Sequence, residues 1–224
     1  QESVRPRPFH KQRTGRWVAE TQWPSPRITL TRYWLNPDRL SSLSTEETQI
    51  DFCSPQTTGL GAGEWCGFGA PGEAPPDQRA DDGCSLTFDS EAFQERQEIL
   101  GAPVATLEVA ADQRVAFIAV RINDVAPDGT SARVTYGLLN LTHRDSHEHP
   151  KPLEPGKRYL VTVTMNNIAH AFPAGHKVRL AVSTCYWPIA WPAPQPVTLS
   201  LFSGKSFIDL PIRAPDPSDT SLRP

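Results

Sequence analysis

Val115-Ala116-Phe117-Ile118-Ala119-Val120-Arg121-Ile122, followed by Ala126-Pro127-Asp128-Gly129 and then by Ser131 through Leu141, is the stretch whose reading decides the fold. Its first limb sets six apolar residues in a row and then Arg121 and Ile122, together the length of a buried strand. Pro-Asp-Gly then supplies a preset φ, a side chain able to bond its own backbone, and a residue free to take positive φ, so the chain turns there. The second limb sets Val134, Tyr136 and Leu138 at alternate positions, the period of a strand with one buried face. The two limbs read as an antiparallel hairpin.

The same pattern continues outward. Downstream, Arg158–Met165 alternates strictly, and Lys177–Cys185 sets Val178, Leu180 and Val182 on one face. Val197–Phe202 and Ser206–Leu210 predict a last hairpin about Ser203-Gly204-Lys205. Upstream, Cys84–Phe88, Pro103–Ala110, Ile28–Leu35 and Gln49–Phe52 read as strands. A helical turn or two is expected near Ser90–Arg96. The 23 prolines and 14 glycines among 224 residues disfavour long helices. Short strands without βαβ alternation predict an all-β protein, an antiparallel β-sandwich or jelly roll over residues 28–210. Residues 1–27 are irregular and rich in Arg, Pro and Trp. Residues 54–83 form a long Gly/Pro-rich loop whose Trp65 and Phe68 need an explanation. Residues 211–224 read as an aperiodic tail.

Composition narrows the function. Lys+Arg 22 against Asp+Glu 25 gives a net charge of −3, which offers no basic field for nucleic acid. No apolar run approaches a membrane span, so no nucleic-acid or membrane partner is expected. The only methionine is Met165, and Gln1 is therefore read as a cut inside a longer protein. Cys53, Cys66, Cys84 and Cys185 form no C-x-x-C pair and read as free thiols of a cytoplasmic protein. A secreted parent would carry its signal ahead of Gln1.

Few residues offer chemistry of their own. No G-x-S-x-G nucleophile elbow occurs. Gly204-Lys205-Ser206 resembles the end of a P-loop, but Leu199 stands where its first glycine belongs. His143, His147 and His149, with Asp145 and Glu148, read as a solvated loop, and neither a metal nor a cofactor is expected. His170 and His176 flank Phe172-Pro173-Ala174-Gly175, and His176 reads as a structural hydrogen-bonding group. Asp77-Gln78-Arg79 and Asp81-Asp82 lack EF-hand spacing, and an Arg79–aspartate pair that pins the loop is the expected use. Trp187-Pro188 and Trp191-Pro192 suit three roles: stacking on a sugar, covering the core edge, or meeting another domain.

Several segments together resemble one family. Thr14-Gly15-Arg16-Trp17 with Trp23-Pro24, Asp77-Gln78-Arg79, Leu86-Thr87-Phe88, Asn123-Asp124-Val125-Ala126-Pro127-Asp128-Gly129, Tyr136-Gly137 and Gly175-His176-Lys177-Val178-Arg179-Leu180 follow the order seen in the CocE/NonD hydrolases. That group holds cocaine esterase, α-amino acid ester hydrolases and X-Pro dipeptidyl-peptidase relatives. The resemblance implies their C-terminal jelly roll, a galactose-binding-like fold packed on an α/β-hydrolase domain and a helical cap of the same polypeptide. It places the Ser–Asp–His triad outside this chain, which is then inactive alone. It makes Trp65 and Phe68 the wall of an acyl pocket for a small ester or peptide substrate. It makes Trp17 and Trp23 part of a linker on the hydrolase surface, and Asp77, Arg79, Asp124, Asp128, Gly129, His176 and Arg179 structural residues. The uncovered patch at Trp17, Trp23 and the Trp65 loop predicts self-association of the isolated chain. The competing expectation is a free-standing carbohydrate-binding module that uses Trp187 and Trp191.

Overall fold

In the computed structural model, which describes residues 1–221, twelve strands and one short α-helix follow in order, besides two 3-10 turns at Leu141–His143 and Pro217–Ser221. They are β1 (Ile28–Asn36), β2 (Arg39–Ser41), β3 (Gln49–Phe52), α1 (Arg79–Asp82), β4 (Leu86–Asp89), β5 (Gln97–Gly101), β6 (Val104–Ala111), β7 (Phe117–Val125), β8 (Ser131–Asn140), β9 (Tyr159–Thr164), β10 (Ile168–Phe172), β11 (Lys177–Ser183) and β12 (Leu199–Arg213). The deciding hairpin is β7–β8, antiparallel from Phe117 opposite Asn140 to Val125 opposite Ser131. Gly129 closes its turn at a φ of 81°.

The strands make an all-β sandwich whose layers almost join into a barrel. One layer runs β4–β11–β7–β8. The other is organised on β12, which pairs with β1, β3, β5 and β6, while β6 carries β9 and β5 carries β10. Between them lies one core. Ile118, Val120 and Ile122 of β7, Val178, Leu180 and Val182 of β11, and Phe88 share it with Leu107, Val109, Val161, Val163, Leu199, Leu201 and Ile208. Alternation builds this core, because every second side chain of each strand points inward.

The structure departs from the sequence reading at four places. The final hairpin does not form: β12 is one strand through Gly204, with an irregularity between Phe202 and Phe207. The Ser206 hydroxyl donates to the Phe202 carbonyl at 2.6 Å and accepts from Glu108 N–H at 3.0 Å, which holds the extra residues as a bulge. No helix occupies residues 90–96. Their backbone is bonded to the start of β11, Ser90 N–H to the Val178 carbonyl and Phe93 N–H to that of His176. The helical turn is instead α1, inside the long loop. Strand β12 extends to Arg213, and the segment beyond it folds back, so Asp219 is buried against Arg213 at 2.7 Å.

Residues 1–27 are laid on this domain's own surface. Glu2 bridges Ala171 of β10, Arg16 pairs with Glu98 of β5, and Glu20 accepts from Arg213 of β12 at 2.6 Å. Charge complementarity with these strands, invisible to local pattern, decides this path.

Candidate functional site

Strand β7 has a second face, and it is not apolar. Phe117, Ala119, Arg121 and Asn123 point away from the core, yet Arg121 and Asn123 are both fully buried. Residues 54–83 cover them. A buried guanidinium needs opposite charge nearby, and α1 brings it. Arg121 Nη2 donates to the Ser85 hydroxyl at 2.6 Å and lies 3.7 Å from Asp82 Oδ1. Asp82 accepts from Asn123 Nδ2 at 2.8 Å, from the Ser131 hydroxyl at 2.7 Å and from Arg179 Nη1 at 3.1 Å. Burial nonetheless pushes the Asp82 carboxyl above its ordinary range. Arg179 also forks onto both oxygens of Asp89, at 2.6 and 2.8 Å, and its guanidinium is held more firmly protonated by that bond.

Asp81 shapes the loop itself. Its two oxygens accept from Gly59 N–H at 2.8 Å and Gly61 N–H at 2.9 Å. Gln78 Nε2 donates to the carbonyls of Gly61 and Pro76. Gly59 is required there: at φ 109° a Cβ would stand 2.5 Å from the Trp187 carbonyl oxygen. The loop is therefore bolted to the sheet at its base. Its middle is not. Trp65 is 75% exposed, Phe68 92% and Leu60 68%. A Gly/Pro-rich stretch with a rigid base thus presents bare aromatic side chains outward.

Other predicted residues fall elsewhere. Asp77 and Arg79 pair at 2.7 Å at the loop's exposed edge, and Asp77 also accepts from Ser131 N–H. Asp124, at the end of β7, accepts from His170 Nε2 at 2.9 Å and His176 Nδ1 at 2.7 Å. Burial alone would raise that carboxyl, but the bonds from His170 and His176 outweigh it and hold it below its ordinary range. Asp128 sits at about 2, lowered by Thr130 and by Arg5 at 2.7 Å. Trp17 and Trp23 are 61% and 62% exposed. Trp23 lies against Gly101 at the end of β5, whereas the Trp65 loop meets the N-terminal segment at Pro8, whose carbonyl accepts from Gly72 and Ala74 N–H. The rings of Trp187 and Trp191 are 4.9 Å apart and tilted by 60°. His143 and His147 have ring centres 5.5 Å apart, and among the described residues no three His, Cys, Asp or Glu side chains are arranged to hold a metal.

Residues 5–215 match the family model described as the X-Pro dipeptidyl-peptidase C-terminal non-catalytic domain. The chain belongs to that family. Cocaine esterase of Rhodococcus sp. (strain MB1 Bresler) is similar to this domain, 24% identical over 186 aligned positions, with 77% of this chain and 32% of that protein covered. Among solved structures, an aminopeptidase from a marine sediment Thaumarchaeota archaeon superposes with a TM-score of 0.77 at 17% identity, covering 88% of this chain and 39% of that one. A CocE/NonD family hydrolase from Staphylococcus aureus gives a TM-score of 0.69 at 15% identity, over 94% of this chain and 40% of that one. The fold is that of the C-terminal domain of the CocE/NonD family. The domain spans 30–32% of the length of the curated relatives it matches.

Sequence reasoning missed the centre of the domain's polar layer. Arg121 reads as an interruption of an apolar strand, and its signal is that interruption itself: a charge inside a buried run demands a partner. Tyr186 was also missed. It is fully buried, 5.3 Å beneath Arg121, and its hydroxyl accepts from Arg133 Nη1 at 2.6 Å.

Proposed function

We propose that this domain is the non-catalytic C-terminal partner of an α/β-hydrolase catalytic domain in one polypeptide, and that Trp65 and Phe68 line the acyl pocket of that enzyme. The carrying observation is the loop 54–83, anchored to the sheet at its base and bare at its aromatic tip. A tip of that kind loses favourable burial unless something covers it. The family match supports the catalytic partner. The substrate class is a small ester or peptide, in keeping with the esterase and aminopeptidase names of the similar proteins. No residue here acts on the substrate bond. Asp124 and its two histidines tie β7 to the middle of β10 and to the start of β11, and among the described residues no serine, cysteine or threonine is bonded to either imidazole.

The test is made in the parent enzyme. Trp65→Ala and Phe68→Ala should each lower kcat/KM for an apolar acyl substrate by roughly tenfold, the scale of one lost apolar pocket contact. A small acetyl substrate should be affected less. Equal kcat/KM for wild type and both variants across acyl sizes would remove the pocket assignment. The chain by itself should turn over no activated ester; turnover abolished by a serine-directed phosphonate would overturn the non-catalytic reading.

A further inference from the structure

Trp65 and Phe68 give up little burial, so packing within the domain does not fix where they point. They sit in a turn, residues 64–73, that also contains Gly67, Gly69 and Gly72. Backbone of that composition wanders unless hydrogen bonds hold it. A pocket wall needs a fixed place, and the bonds that give this turn one converge on Glu73.

Glu73 grips the turn at three points. Its carbonyl accepts from Glu64 N–H at 2.9 Å, which closes the neck of the turn just ahead of Trp65. Its Oε2 accepts from Ala70 N–H at 2.8 Å, just beyond Phe68. Its side chain lies against Gly67, between the two aromatics, where a Cβ would stand 3.3 Å from Glu73 Cβ and 3.4 Å from Oε2. The neck is close enough to require glycine at 63: at φ 67° a Cβ there would meet the Glu73 carbonyl oxygen at 2.5 Å.

Glu73 is itself held from outside the loop. Its two neighbours, Gly72 and Ala74, both donate N–H to the Pro8 carbonyl at 3.0 Å. Pro8 stands midway along residues 2–14, whose ends Glu2 N–H joins by donating to the Thr14 carbonyl at 3.1 Å. The sandwich fixes this N-terminal segment. Ala171 N–H of β10 donates to the Gln1 carbonyl at 3.0 Å, Arg96 forks onto both oxygens of Glu2, and Arg5 reaches Asp128 in the β7–β8 turn at 2.7 Å. The sandwich thus holds residues 1–8, these hold Glu73, and Glu73 holds the turn.

We infer that Glu73 is a positioning residue for the aromatic wall, and that residues 1–8 are the strap that keeps it in place. Glu73 acts through Trp65 and Phe68 and touches no substrate. The inference rests on the pocket-wall reading and adds to it the group that aims the wall and the segment that braces it.

The experiment uses the full parent enzyme and two readouts. One is the ratio of kcat/KM for a bulky apolar acyl ester to that for the acetyl ester. The other is hydrogen exchange of the amides of residues 64–74, followed by mass spectrometry. Glu73→Ala keeps the carbonyl and loses the carboxylate. It should lower the ratio about threefold or more, speed exchange at Ala70 several-fold, and leave the acetyl ester within about twofold of wild type. Glu73→Gln, whose amide oxygen still accepts from Ala70 N–H, should restore both readouts. Ala74→Pro removes one of the two donors to Pro8 and should speed exchange at Gly72. Unchanged exchange and ratio in Glu73→Ala, or a Glu73→Gln enzyme as impaired as Glu73→Ala, overturns the positioning role. Unchanged exchange at Gly72 in Ala74→Pro overturns the strap. The two readings fail separately. Trp65→Ala and Phe68→Ala enzymes that shift the ratio, beside a Glu73→Ala enzyme that does not, end only this inference. If those two variants leave the ratio unchanged, the pocket assignment ends, and faster exchange in Glu73→Ala but not in Glu73→Gln still upholds the hold of Glu73 on the turn.

Discussion

The base and the tip of the 54–83 loop are built on opposite principles. At the base, Arg121, Asp81, Asp82 and Arg179 are charged groups taken out of water and held by one another. At the tip, Trp65 and Phe68 are apolar groups left in water. The base finds most of its partners within the domain: Asp81 and Asp82 accept from Gly59, Gly61, Asn123, Ser131 and Arg179, although Arg121 Nε and Nη1, Gln78 Oε1 and Asn123 Oδ1 are buried without a hydrogen-bond partner. The tip has none and becomes favourable only when covered. A loop can therefore be anchored and incomplete at once, which is what a donated pocket wall requires.

The largest effect should come from breaking the base. Arg121→Ala leaves Asp82 buried among hydrogen-bond donors without its central cation, and a loss of about 3–5 kcal/mol is expected in urea unfolding of the domain. A loss below 1 kcal/mol would mean that the base network does not hold the loop. Next comes Gly59→Ala, which forces a Cβ onto the Trp187 carbonyl at positive φ. It should cost about 1–3 kcal/mol and raise proteolytic cutting within residues 54–72, whereas Gly69→Ala, which at φ 89° carries backbone strain but brings its Cβ against no atom, should raise that cutting less.

A smaller, pH-dependent effect separates two buried carboxylates. The Asp124 carboxyl is held low in the fold, so its stabilisation is present above the unfolded value near 3.9 and fades as pH falls through the lower folded value. The gap in urea midpoint between wild type and Asp124→Asn should narrow on acidification from pH 7 to pH 3. Asp82 has the opposite sign. Its raised carboxyl means that protonation favours the folded state, and its contribution weakens as pH rises through the folded value. A gap for Asp124→Asn that widens in acid would contradict the assignment.

The smallest effect belongs to the tip. Trp65→Ala and Phe68→Ala should change the unfolding free energy of the isolated domain by less than about 0.5 kcal/mol, since neither side chain gives up much burial. Losses of 2 kcal/mol would show that the tip is packed inward. The comparison between base and tip would then collapse.

The sandwich was legible because each strand declares itself over five to ten residues. Ile118, Val120 and Ile122, or Val178, Leu180 and Val182, are inward by alternation alone. The short strands β2, β5 and β10 lacked that signal. Gln97–Gly101 mixes Gln, Glu and Gly with two apolar residues, and Ile168–Phe172 places His170 inside. Both become strands through pairing with each other. The supposed turn at Gly204 failed for a related reason: a glycine bounded by two apolar runs suits a bulge as well as a hairpin, and the partners β1, β3 and β6 choose between them.

Local chemistry fixed the alternation, the Pro-Asp-Gly turn and the bareness of the 54–83 loop, because each rests on neighbours in the chain. Tertiary structure alone decided that Asp82 meets Arg121, that both histidines share Asp124, and that Trp187 stands beside Thr58. Those contacts span 39 to 129 residues of sequence, and a charge or an indole carries no mark of which distant segment will complete it. That choice is made when the sheets pack and buried polar groups must find partners.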